Sequence, residues 1–214
     1  MDAELKRYFV KKLLNWGHKH RRIFPWRVEP SPYYVLVSEF FLQRTPAERI
    51  EVFFPDFIEK YPSIDDLSQA DLEILEAQFQ PLGLTKRATW LLSAAKIIKQ
   101  QFHGVVPSDF QDLISLPGIG RYTASAILCF AYHQDVSIID ANVVRILKRF
   151  FGMDIPSRDG MRKLYSLADS LIPDKRGVLF NEAILDFTAS VCKLIPDCEN
   201  CPIKIRCGYY QNLN

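Results

Sequence analysis

The first 128 residues contain no cysteine, and Cys129, set in an apolar run, is the only one before position 192. No apolar run approaches the roughly 20 residues that cross a bilayer, so no membrane partner is expected. No secretory pattern precedes the opening Met1-Asp2-Ala3-Glu4, which sets the expectation of a reducing cytoplasm. Internal repeats and low-complexity tracts are missing. So is sustained alternation of apolar and polar residues between hairpin turns, which argues against a sheet. A net charge of +2 identifies no partner by itself.

Apolar residues make up 48% of the 214 and charged residues 24%, which suits a soluble globule of one large or two small domains. The charge is unevenly spread. Residues 2–22 hold seven Lys or Arg against two acids, with His18 and His20 added; residues 48–79 hold nine acids and two bases. Such asymmetry suits either a face that meets a polyanion or plainly solvated helices. The prevailing period is helical. Leu5, Tyr8, Phe9, Lys12, Leu13 and Trp16 recur at three and four, predicting an amphipathic first helix. Further helices are expected over 34–43, 63–67, 71–79 and 85–102, with Pro25, Pro30, Pro32, Pro46 and Pro55 as punctuation. The fold class is therefore all-α, with roughly ten helices and short connections.

Four cysteines crowd into the last part of the chain: Cys192, Cys198, Cys201 and Cys207, spaced C-x5-C-x2-C-x5-C. Four such soft ligands can surround a metal centre or pair as two disulfides. A reducing compartment favours metal. No histidine lies among them, and spacing alone leaves zinc and iron–sulfur both open.

The most specific stretch is 108–149. Ser108 with Gln111 reads as a capping box for a short helix ending at Leu116. Leu116-Pro117-Gly118-Ile119-Gly120 follows, then a second helix from about Arg121 to Tyr132. Two glycines two apart allow a sharp turn and expose N–H groups at a helix start, where a phosphate can bind; a plain helix–turn–helix connection is the alternative. Asp140 closes the run Val136-Ser137-Ile138-Ile139 and opens another helix, as an N-cap. A carboxylate there is favoured as an anion and can stabilise a developing cation or direct a water molecule.

A hairpin of this kind, an aspartate about twenty residues on and a four-cysteine tail occur here together. With Arg22-Ile23-Phe24-Pro25-Trp26-Arg27, with 37–45 (Val-Ser-Glu-Phe-Phe-Leu-Gln-Arg-Thr) and with 83–88 (Gly-Leu-Thr-Lys-Arg-Ala), the chain resembles the helix-hairpin-helix DNA glycosylases of the endonuclease III superfamily along nearly its whole length. The resemblance implies a two-domain helical fold. Residues 28–136 would form a six-helix barrel bearing the hairpin. Residues 1–27 and 137–214 would form a helical domain whose Cys192, Cys198, Cys201 and Cys207 hold a [4Fe–4S] cluster. The family loop usually has six residues between its first two cysteines; here there are five. A cleft between the domains would take a flipped base, with Asp140 on its wall. The implied partner is mismatched double-stranded DNA, bound by a monomer in the cytoplasm, on the nucleoid in a prokaryote. A monovalent cation at the hairpin is also implied.

Residue roles follow the same resemblance. Asp140 would stabilise the cationic sugar, with Asn142 orienting it or touching a phosphate. Glu39, buried beside the base, would protonate the leaving group. Gly118, Gly120 and Arg121 would contact phosphate, and Lys193, Lys204 and Arg206 would grip the strand. Gln43 and Leu84 would fill the gap in the duplex, Gln43 against the orphaned guanine and Leu84 as a wedge. Tyr122 stands where strand-cleaving members carry a lysine and would sit in the base pocket. A phenol forms no Schiff base, so a monofunctional enzyme is expected. Thymine or uracil opposite guanine is the expected target. Gly83-Leu84-Thr85 replaces the Gly-Tyr-Tyr of MutY-type adenine glycosylases, Leu42-Gln43-Arg44-Thr45 their Leu-Gln-Gln-Thr, and Asp140-Ala141-Asn142 their Asp-Gly-Asn. The sequence also stops seven residues after Cys207, where those enzymes usually continue. Adenine opposite guanine or 8-oxoguanine is the alternative substrate, and a non-catalytic lesion-binding DNA module the alternative class.

Overall fold

The computed structural model describes residues 2–43, 45–83, 85–154 and 157–213. Among them every regular element is helical, as the periodicity predicts. The α-helices run, in order, α1 Ala3–His20, α2 Pro25–Val28, α3 Pro32–Leu42, α4 Ala47–Lys60, α5 Ile64–Ser68, α6 Leu72–Phe79 and α7 Lys86–Gln101. The chain continues with α8 Phe110–Ser115, α9 Arg121–Phe130, α10 Ala141–Phe151, α11 Arg158–Leu171, α12 Gly177–Ser190 and α13 Gly208–Gln211. Two single 3₁₀ turns, Gln80–Leu82 and Lys204–Arg206, complete the set. The chain divides into two compact units, one of residues 23–132 and one of residues 1–22 with 133–214.

In the unit of residues 23–132, caps set most helix starts. Ser31 accepts from Tyr34 N–H ahead of Pro32 in α3, Ser63 caps α5 and Asp71 caps α6. Helix α3 is apolar nearly all round and buried from Val35 to Phe41, as a central helix must be. Its Phe41 meets Phe57 of α4 edge-on at 4.9 Å and Phe79 of α6 at 4.8 Å, an aromatic core at preferred ring separations. Pro55, expected to break the chain, instead lies inside α4. Burial of Ile50, Phe54 and Phe57 on one face outweighs the backbone bond that proline forfeits. Helix α8 is capped by Asp109, which accepts from Gln111 N–H at 2.7 Å and Asp112 N–H at 3.3 Å; the expected cap, Ser108, lies one residue early.

In the other unit, α1 and α12 pack closely because Gly17 meets Ala183: a Cβ on Gly17 would stand 2.5 Å from that of Ala183. Two ion pairs close the same seam. Arg21 reaches Glu182 at 2.9 Å and Arg22 reaches Asp186 at 2.8 Å, both acids being almost fully buried on α12. Phe9, Phe150, Phe180 and Phe187 fill the core beneath, with α10 and α11 supplying Ile146, Leu147, Leu164 and Leu167.

Candidate functional site

Within residues 23–132, the hairpin comprises α8, the turn at 116–120 and α9. Gly118 holds φ +78°, and a Cβ there would lie 2.7 Å from a Phe40 ring carbon and 2.9 Å from Trp90 Cβ. Glycine is thus required twice over, by conformation and by space. Gly120 differs from the expectation. It is extended (φ −97°, ψ −178°), a conformation open to any residue, and nothing lies within 4 Å of its would-be Cβ. It is the N-cap of α9, which has no side-chain cap, unlike α8 and α10. The N-cap of α9 thus offers no side chain to its first turn, and a helix start of this kind is a place where anions bind. Arg121 opens α9 with its guanidinium 5.7 Å from the Phe110 ring centre, and Tyr122 follows, half-buried.

The C-terminal end of α3 adjoins this turn. Gln43 donates through Nε2 to Gly118 O at 3.3 Å. Glu39, one turn back on α3, is 4% exposed. Leu84 and Arg44 lie outside the described residues.

In the other unit, Asp140 is the N-cap of α10. Its Oδ1 accepts from Val143 N–H at 2.7 Å, and its Oδ2 accepts from Asn142 Nδ2 at 2.7 Å. Asn142 Oδ1 in turn accepts from Arg145 at 2.7 Å. Arg145 also donates to Cys192 O from Nε at 3.1 Å and from a terminal nitrogen at 2.9 Å, and to Thr188 O at 3.2 Å. One continuous hydrogen-bonded path thus runs from the half-buried carboxylate to the first residue of the cysteine loop. One turn later Arg149 donates to Lys193 O and Leu194 O at 2.6 and 2.8 Å. Neither arginine stands out as a site residue in the sequence; their i, i+4 spacing on one face of α10 is the available signal.

All four tail cysteines line one cavity, walled by Ile146, Phe150, Val191 and Ile203. No disulfide joins them. Among the described residues, no three His, Cys, Asp or Glu side chains close on a single metal ion. Burial pushes the Cys201 thiol up to about 11, against a weaker pull from the Ile203 backbone, and the other three thiols add to the rise. Cys207 and Cys198 are raised too, again mainly by burial. Of the basic residues around the loop, Lys204 pairs with Glu199 at 3.5 Å and Arg206 with Glu4 at 2.7 Å, so neither stands as an isolated cation.

Comparison with known proteins matches residues 37–168 to the HhH-GPD superfamily of base excision DNA repair proteins. The chain belongs to that superfamily. It is 32% identical over 209 residues to a thymine/uracil-DNA glycosylase of Methanothermobacter thermautotrophicus, spanning 96% of this chain and 95% of that protein. It is 35% identical over 206 residues to an adenine DNA glycosylase of Buchnera aphidicola subsp. Baizongia pistaciae, spanning 95% of this chain but 59% of that protein. The chain thus covers less than two thirds of that relative's length. A solved thermostable thymine-DNA glycosylase matches 99% of the chain with a TM-score of 0.91 at 30% identity. A non-covalent endonuclease III–DNA complex matches at a TM-score of 0.86 and 21% identity, a likeness of fold.

Proposed function

We propose that this protein is a monofunctional DNA glycosylase that releases thymine or uracil mispaired with guanine from double-stranded DNA. The observation that carries this reading is the Asp140 carboxylate, half-buried at the start of α10 and fixed by two hydrogen bonds, from Val143 N–H and the Asn142 amide. A carboxylate so held faces a developing positive charge without reorganising. In the reaction the N-glycosidic bond breaks and the base leaves with the bonding electron pair. Glu39 supplies a proton to the departing base, Asp140 stabilises the cationic sugar, and a water adds to the anomeric carbon and releases one proton to solvent, from which Glu39 regains its own, to give an abasic site. Tyr122 occupies the position where an amine would be needed for Schiff-base strand cleavage. The N-terminal end of α9, with Gly118, Gly120 and Arg121 at the turn, holds the phosphate backbone. Gln43 addresses the orphaned guanine, and Leu84 acts as a wedge.

The four cysteines fit a [4Fe–4S] cluster. They share one apolar-walled cavity rather than a single point, which suits a centre in which each thiolate binds its own iron. When bound, the cluster supplies a covalent staple for the tail; no chemical step is assigned to it. The hairpin cation rests on the resemblance, and Gly118 O, one carbonyl at that turn, already accepts from Gln43.

Adenine opposite guanine or 8-oxoguanine is the second reading, favoured by the 35% identity to the adenine enzyme. Duplexes carrying T, U or A opposite guanine or 8-oxoguanine, incubated and then cleaved with alkali, separate the readings. Strand breaks at T and U opposite guanine are expected. Breaks only at A establish the second reading, and a mobility shift without breaks establishes a binding module. Efficient borohydride trapping would overturn the monofunctional assignment. Monomeric behaviour is checked by light scattering of the protein with and without DNA.

A further inference from the structure

Arg87 is the largest side chain buried almost without remainder, 1% exposed in the first turn of α7. Burying a guanidinium costs several kcal/mol unless its donors are met. Its two terminal nitrogens donate to one short stretch of chain. They reach Phe41 O at 3.1 Å, Thr45 Oγ1 at 3.3 Å and Gln43 O. Phe41 and Gln43 carry the last carbonyls of α3, the negative end of that helix, which have no intrahelical partner. A planar fork with donors on several edges can hold three such acceptors at once; an ammonium cannot hold them in one plane.

The held segment is where Gln43 projects to the hairpin, with Nε2 on Gly118 O at 3.3 Å. Arg87 itself is the second residue of α7. One buried cation therefore ties the end of α3 to the start of α7, and through Gln43 to the 116–120 turn. A core leucine could fill this volume at less cost in desolvation. A charge retained there is explained by the hold it gives on Phe41, Gln43 and Thr45.

We infer that Arg87 is a positioning residue for opposite-base recognition: it fixes the backbone of Gln43, and so the discrimination for guanine that Gln43 provides. The inference rests on the DNA-facing reading of Gln43 but not on base release. The test is equilibrium binding of the full chain to duplexes with a tetrahydrofuran abasic analogue, which cannot be processed, opposite guanine or opposite thymine. The wild type should prefer guanine. Arg87→Lys should lower that preference roughly fivefold or more, the scale of a misaligned charged hydrogen bond. Gln43→Ala should do the same, and the double variant should match Gln43→Ala alone. Thr45→Val removes one acceptor without removing the cation and should shift the preference in the same direction, which keeps the test open if Arg87→Lys fails to fold. A purely structural Arg87 would weaken both duplexes together and leave their ratio unchanged, and that result overturns the inference. A wild type with no guanine preference overturns it as well. The alkali assay for base release decides the proposed function separately.

Discussion

Asn142 turns its side-chain amide onto Asp140, with Nδ2 2.7 Å from Oδ2, while its own oxygen is held by Arg145 at 2.7 Å. The carboxylate is thereby aimed by a residue that is itself fixed. If Asp140 is the electrostatic centre of the reaction, Asp140→Asn should leave duplex binding nearly intact and slow base release on the order of a hundredfold or more. Single-turnover kinetics beside a binding isotherm measures both. Normal turnover in that variant removes Asp140 from the mechanism.

Arg145 extends the same logic. Removing its guanidinium frees Asn142 on one side and the Cys192 and Thr188 carbonyls on the other. Arg145→Met is expected to slow base release about tenfold, through a loosened Asn142, and to lower the melting temperature. Asn142→Ala should slow release comparably with little change in melting. If Arg145 acts through Asn142, the double variant releases base no more slowly than Arg145→Met. Multiplicative losses would show that the two act independently.

The hairpin glycines make a paired test. Gly118→Ala forces a side chain to φ +78° and into Phe40, so about 1–3 kcal/mol of stability should be lost, along with duplex affinity. Gly120→Ala meets no protein atom within 4 Å and needs no unusual backbone, so its melting temperature should stay at the wild-type value. Its duplex affinity should nevertheless fall if a phosphate approaches α9 there. Unchanged affinity in Gly120→Ala would place the phosphate elsewhere.

What the sequence made legible was local. The helical period of α1, the N-cap of Asp140 and the turn at Gly118 each depend on residues within a few positions of one another. The cap of α8 shifted by one residue because Asp109 and Ser108 are both good caps, and only the chain's path chooses between them. Pro55 was misleading because burial of neighbouring aromatics, a tertiary effect, outweighs a local rule. The reach of Arg87 and Arg145 was not legible, since Phe41 and Cys192 lie more than forty residues from them in sequence; Asn142, three residues from Arg145, is the local exception. The four cysteines stood out by count, but that they line one cavity follows from where α10 and the tail come together.

The seam of α1 and α12 yields an asymmetric expectation. Asp186 is 1% exposed whereas Arg22 is 31% exposed, so the two partners do not suffer equally when left alone. Arg22→Met strands a buried carboxylate that keeps the Arg22 backbone N–H, and roughly 3 kcal/mol should be lost. Asp186→Asn leaves an arginine able to turn toward water, and about 1–2 kcal/mol should be lost. Chemical denaturation of the two variants checks the order. The reverse order would mean that the carboxylate, not the arginine, is the better solvated partner in the folded chain.

The cysteine loop carries the pH dependence. With metal stripped, Cys201 titrates near 11 in the folded chain against an ordinary thiol value of 9.0, so the folded state holds the proton more tightly than the unfolded state. A raised value contributes stability that is complete below about pH 9 and is lost as pH rises toward 11. Cys207 and Cys198 shift in the same direction. The metal-free protein should therefore melt progressively lower between pH 9 and 11, and Cys201→Ser should flatten part of that slope. Loaded protein should show a shallower slope, because ligated thiolates have no proton to lose while the Tyr8, Tyr33 and Tyr132 phenols, also raised by burial, still titrate. Equal slopes for the stripped wild type and Cys201→Ser would show that this thiol is not buried as the geometry has it. Equal slopes for stripped and loaded protein would mean that the cysteines do not hold the metal.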